Sequence, residues 1–155
     1  MRCPSRSLLL LILPLLLIVP SLVFGSHGMI TVQSSYSAPV TADHLETILR
    51  EEGMTVFNRI DHTAGAAGIG ETLRPTILII FGNPKAGTAL MKCGQTAGID
   101  LPLKILIWED VSGLVKLSYN DPRYIGDRHG ISHCGQVLEK MTGALKGIAD
   151  KAAGK

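Results

Sequence analysis

Apolar and polar positions alternate along "GMITVQSSYS", with β-branched residues on one side, and this predicts a first strand. In "APVTADHLETILREEGM" the spacing changes to that of a helix. Leu45, Ile48 and Leu49 form one apolar face, Thr41 stands as the expected N-cap, Asp43 and Glu46 sit near the positive end of the dipole, and Gly53 supplies the stop. "MTVFNRI" predicts a second strand. The Ala- and Gly-rich "DHTAGAAGIGETLRP" is either a short helix or a loop. "TILIIFG" is an unbroken apolar run, as expected of a central strand buried on both faces. A short helical piece around Ala89 to Lys92 follows, then a turn-rich stretch. "LKILIWED" and "LVKLSYN" read as a hairpin turning at Gly113, and "DPRYIGDRHG" reads as loop. The last segment starts at Ser132 as N-cap, and Leu138, Met141, Leu145 and Ile148 recur at helical spacing.

The core order is therefore β-α-β-β-β-β-α. It predicts an α+β fold, a two-layer sandwich of a mixed or antiparallel sheet with helices on one face. One helical layer leaves the other sheet face in need of a partner, and the expected partner is a second copy in a homodimer.

Ahead of this pattern, Arg2 and Arg6 precede an apolar run from Leu8 to Phe24, closed by small residues at Gly25 and Ser26. This predicts a signal peptide over residues 1–25 and a single domain over 26–155. The run is at the short limit for a retained membrane anchor, and Pro14 and Pro20 inside it favour removal, so no stable span is expected in the mature, periplasmic or secreted protein. Loss of Arg2 and Arg6 cancels the precursor's net charge of +2. With no excess of base and no basic stripe interleaved with aromatics, nucleic acid is excluded as a partner. Cys93 and Cys134 remain, either as a disulfide in an oxidising compartment or as two small buried thiols.

Three constellations could carry chemistry. In "IIFGNPKAG" a strand runs into Gly82, Asn83 as N-cap and Pro84 at the first helical position, so the following N–H groups and the Lys85 ammonium could hold a small anion. Gly82 and Gly87 have P-loop spacing, but Thr88 stands where that loop needs lysine, which excludes a Walker A site. In "RIDHTAG", His62 at a strand end is a candidate base, with Lys85 to stabilise developing negative charge in a hydrolase or isomerase of a small acid. Asp61, by contrast, is a candidate cap for the turn that follows. In "RHGISHC", His129, His133 and Cys134 could share a metal or haem iron with His62 or Cys93, although Gly130 and Ser132 interrupt the helix that such spacing would need. No C-x-x-C-H, G-x-S-x-G or H-E-x-x-H motif occurs, so no reaction and no cofactor is named.

Taken together and in order, "IDHTAGA", "LRPTILIIFGNPKAGTALM", "GIDLPLKILIWED" and "SYNDP" resemble the domain of unknown function 302 family, from about Met29 to Ala149. The resemblance implies a compact two-layer α/β domain that tends to dimerise. It marks Asp61, His62, Gly82, Asn83, Pro84, Lys85, Leu101 and Pro102 as family positions and carries no catalytic role. Of these, His62, Asn83 and Lys85 are the expected ligand-binding residues of an exported domain that binds a small anionic or cofactor-like molecule.

Overall fold

A computed structural model describes residues 28–155, and the predicted signal peptide lies outside them. The chain runs β1 (Met29–Gln33), α1 (Ala38–Glu51), β2 (Thr55–Asp61), α2 (His62–Ala67), β3 (Thr76–Gly82) and α3 (Pro84–Cys93). It continues through β4 (Leu103–Glu109), β5 (Val115–Asn120), α4 (Pro122–Arg128) and α5 (Gly135–Ala153), with 3-10 turns at Gln95–Asp100 and Ser132–Cys134. The strands form one sheet in the order β1-β5-β4-β3-β2, and every neighbouring pair is antiparallel. The α+β expectation holds, with antiparallel the outcome of the two sheet types. Because β1 and β2 are opposite edges, α1 carries the chain across the whole sheet.

Helices cover one face. Leu45 and Leu49 of α1 and Leu145, Ile148, Ala149, Ala152 and Ala153 of α5 bury Ile77, Ile79, Phe81, Ile105, Ile107 and Leu117 of the sheet. The alanines bring α5 close to the strands at no side-chain entropy cost. On β3 the residues of the opposite face, Thr76, Leu78 and Ile80, are only half-buried, so the expectation of burial on both faces is corrected. β4 occupies the centre, and β3 lies one strand from the edge. A second apolar cluster, Leu90, Ala97, Ile125, Ile131, Leu138 and Met141, joins α3, α4 and the start of α5. Close approach of α4 to α5 depends on Gly126, where a Cβ would lie 2.6 Å from Leu138 Cδ1.

Several local expectations change for identifiable reasons. The N-cap of α1 is Ser37, with proline in the first turn, so Thr41 lies inside the helix. The Thr41 hydroxyl is fully buried, donates to the Ser37 carbonyl at 2.9 Å and pairs with the Ser34 hydroxyl at 2.8 Å. Asp43 and Glu46 consequently sit beyond the first turn, where they hold Arg59 of β2 at 2.6 and 3.4 Å. "DPRYIGDR" is helix rather than loop: the Asp121 carboxylate accepts the Arg123 N–H at 2.9 Å and Pro122 opens the helix. Its single turn or so of apolar pattern is too short to register as a period. Ser132 opens a 3-10 turn, and α5 begins at Gly135.

Cys93 and Cys134 form a disulfide with Cα atoms 6.3 Å apart, inside the ordinary range for such bridges. It ties the last residue of α3 to the residue that precedes α5. Closing a loop of 41 positions restricts the unfolded chain by an amount typically worth about 2–4 kcal/mol. Cys93→Ser should therefore lower the unfolding free energy in oxidising buffer by about that amount in a urea titration, and an unchanged midpoint would show that the bridge does not form in solution.

The Tyr119 phenol is buried on the helix side of β5, and its hydroxyl has no hydrogen-bond partner among the described residues. Burial first, then the carboxylates of Asp150 and Asp121, raises its pKa above the ordinary value of 10.0. Folding thus favours the neutral phenol. That contribution is complete below pH 10 and is lost as pH rises through the raised folded-state value. Tyr119→Phe should leave stability at pH 7 unchanged or slightly raised and should flatten the alkaline fall in melting temperature. A lower melting temperature at neutral pH would mean that the hydroxyl is bonded in solution.

Candidate functional site

The corner "FGNPKAG" is self-contained. The Asn83 side-chain oxygen accepts the backbone N–H groups of Lys85 at 2.9 Å and Ala86 at 3.4 Å, and the Asn83 carbonyl accepts the Gly87 N–H at 2.9 Å. The side-chain amide donates to the Gly53 carbonyl at 3.4 Å. These N–H groups already have acceptors, and the Lys85 side chain is exposed. The corner therefore starts α3 and ties it to the end of α1, and the donors expected for an anion are spent on the cap.

Behind this corner lies a groove of about 560 Å³ between α3 and α5, within the range of small-molecule sites. One wall is α3, with Pro84, Ala86, Gly87, Thr88 and Met91; the other is α5, with Lys140, Met141, Ala144, Leu145 and Ile148. Leu101, Pro102 and Leu103 form the floor where the chain enters β4, and Met54, Phe57, Gly82 and Asn83 close the far end. Small residues on the facing walls leave the space, and three methionines supply an adaptable apolar lining. Phe57, 55% exposed, lies where β2 slips register between Val56 and Asn58.

Of the three expected ligand-binding residues, Asn83 lines the groove, whereas Lys85 and His62 do not. His62 follows Asp61, which pairs with Ile77 at one end of β3, while Lys85 follows Gly82 at the other. That is roughly 17 Å of strand, which corrects the reading of the two as a joint base and charge stabiliser. Asp61 is the cap of α2, accepting the Ala64 N–H at 3.0 Å.

The ligand set His129, His133 and Cys134 is not assembled as a metal site. Cys134 is in the disulfide, and His129 is held through both ring nitrogens, Nε2 2.8 Å from Asp100 Oδ2 and Nδ1 3.1 Å from Thr96 Oγ1. Arg128 donates to the other Asp100 oxygen at 3.0 Å, so the buried carboxylate has two partners. Among the described residues, no three His, Cys, Asp or Glu side chains come together as a metal site.

The groove residues that sequence reasoning missed are Met54, Phe57, Thr88, Met91 and Lys140. Met141, Leu145 and Ile148 were visible as one face of a helix, but periodicity does not say which part of an apolar face meets sheet and which meets a cavity. Family positions Gly82, Pro84, Leu101 and Pro102 all line the groove, and this grouping was the available signal.

Comparison with known proteins gives the chain its relatives. The domain of unknown function DUF302 matches residues 30–148. A solved structure, that of an uncharacterised conserved DUF302 protein from Bacillus stearothermophilus, superposes with a TM-score of 0.74 at 19% identity, covering 81% of this chain and 98% of that one. Two curated relatives, fluoride-specific ion channel FluC 1 of Brucella suis and FluC 2 of Brucella melitensis, are each 43% identical over 126 residues, or 81% of this chain. The match covers 50% of the former and 47% of the latter, so the chain spans about half the length of these relatives. The extent of the profile match and the fold agree: this chain belongs to the DUF302 family.

Proposed function

We propose that this protein is an exported binding domain whose site is the groove between α3 and α5, and that its ligand is a small molecule with a mainly apolar body. The observation that carries this reading is the groove itself: a preformed concave space of about 560 Å³ walled by Met54, Met91, Met141, Leu101, Leu145 and Ile148. Protein interiors are packed without such voids, and an open apolar recess on a small domain is the ordinary form of a ligand site. Nothing around it supplies a nucleophile paired with a base, so binding rather than turnover is the reading we adopt. Export, to the periplasm or beyond, rests on the N-terminal residues 1–25.

The relatives named as fluoride channels extend this reading. No helix among the described residues is long and apolar enough to cross a membrane. We infer that conduction belongs to the half of those proteins that this chain does not match, and that the shared half is a soluble-facing binding module.

The uncovered sheet face carries the second part of the proposal. Leu78 and Leu106 are register partners there, flanked by Ile80 and Trp108, and all four are only half-buried in the single chain. A second copy packed on this face makes a homodimer and leaves both grooves open on the outer, helical side.

Two measurements test these assignments. Ala144 is an exposed wall residue of the groove, so Ala144→Trp fills the space without touching the core. It should abolish the fluorescence gain of the neutral dye Nile red while leaving the melting temperature within a degree or two; undiminished dye binding would sink the groove assignment. For the dimer, Leu106→Asp places a charge at the centre of the sheet face, and sedimentation equilibrium should show the wild type as a dimer and this variant as a monomer. A monomeric wild type would refute the dimer.

A further inference from the structure

The groove is not uniform along its length, and its polarity points to a particular class of ligand. Among the residues that line it, one carries charge, Lys140, and the hydroxyl of Thr88 is the other polar side chain besides Asn83. Asn83 is committed to capping α3 and to the Gly53 carbonyl. The side chains of Lys140 and Thr88 have no hydrogen bond or ion pair among the described residues, although elsewhere the lysines of α5 are paired, Lys146 with Asp150 and Lys151 with Glu52.

Their positions along the groove follow from the disulfide. α3 ends at Cys93 and α5 starts just after Cys134, so the bridge joins the C-terminal end of one wall to the N-terminal end of the other. Thr88 stands five residues before Cys93 and Lys140 six residues after Cys134, which at the helical rise is roughly 8 and 9 Å from the clasp. Both line the groove, each less than two helical turns from the clasp. Beyond them, Ala144, Leu145 and Ile148 on one wall and Gly87, Pro84 and Gly82 on the other lead to Met54 and Phe57, and this longer stretch is apolar except for the committed Asn83.

Resting on the groove assignment, we propose that the ligand is a single-chain amphiphile with an anionic head, of the long-chain carboxylate class. The head lies between the Lys140 ammonium and the Thr88 hydroxyl, and the acyl chain runs along the groove toward Met54 and Phe57. The three methionines suit such a chain, because unbranched thioether side chains adjust to a flexible apolar guest better than branched ones do. The exposed head end accounts for an unpaired lysine on an otherwise apolar wall. The anion is thus placed at Lys140, across the groove from α3, rather than at the capped N-terminus of α3 and Lys85.

The test is displacement of Nile red from the full chain by dodecanoate, octanoate, dodecanol and dodecylammonium, each below its micellar concentration. Dodecanoate should bind about a hundredfold more tightly than octanoate, since four methylenes separate them. It should also bind roughly fivefold more tightly than dodecanol, with dodecylammonium weakest. Lys140→Ala should remove the advantage over dodecanol and leave dodecanol itself unchanged. Lys140→Glu should reverse the order in favour of dodecylammonium, and Lys92→Ala, on the same surface but outside the groove, should change nothing. If dodecanol matches dodecanoate in the wild type, or Lys140→Glu leaves the order intact, the head assignment is overturned while the groove stands. If no twelve-carbon compound displaces the dye, the groove assignment fails with it. Affinity independent of chain length, as for a partner peptide that recognises the rim, also overturns the proposal.

Discussion

The fixing of α3 at both of its ends is the constraint on which the site depends. At its start, β3 delivers the chain into Gly82, and Asn83 both caps the helix and bonds to Gly53 at the end of α1. At its finish, Cys93 is bonded to Cys134. With the two ends held, the middle of α3 cannot move inward to compensate for Ala86 and Gly87 facing Ala144. An unrestrained helix would close on such small side chains, because dispersion contacts favour contact wherever the backbone can relax. Here the void persists as a groove. Leu90 and Met141, packed with Ile125, Ile131 and Leu138, fill the space nearest the clasp and stop the groove from running through to α4.

This arrangement separates the packed core from the proposed site. The main core lies between α1, α5 and the sheet, where Ala149, Ala152 and Ala153 allow close packing of α5. Toward its N-terminal half the same helix presents Lys140, Met141 and Ala144 to the groove. One continuous apolar stripe on α5 therefore serves two purposes, at different turns. Substitutions at the groove wall can alter binding without touching the sheet contacts, since Ala144 is exposed and Leu145, one residue on, is buried.

The fold was legible in the sequence to the extent that period and punctuation carry it. Five strands, the long first and last helices, the Gly113 hairpin and the Asn83 cap all have local causes that single residues announce. The helix at Pro122–Arg128 was not legible because its only long-range mark is three buried residues, Pro122, Ile125 and Gly126, among charged neighbours. Burial of one face of β3, rather than both, depends on how many helices the chain spends on each side, and "TILIIFG" cannot encode that. The site was legible only in part. Gly82, Asn83, Pro84, Leu101 and Pro102 could be seen as a recurrent set, but Lys140 lies some forty residues further along the chain, in a helix whose charged positions otherwise read as solvated surface.

The Asn83 cap bears directly on the anion site expected at the start of α3. A helix N-terminus attracts anions through unsatisfied N–H groups, so its value as a site falls as its own residues satisfy them. Asn83 takes two of the donors and its carbonyl takes a third, so the motif fixes the start of α3. What the motif positions is one wall of the groove: by setting where α3 stands, it sets where Thr88 and Met91 line it. A lysine ammonium at the edge of an apolar wall retains its solvation and can still meet a head group at the mouth, whereas the same charge deeper in the groove would carry a desolvation cost with no partner to offset it. On that ground the proposed head belongs beside the exposed Lys140, and the chain beside Leu145 and Ile148, which are buried.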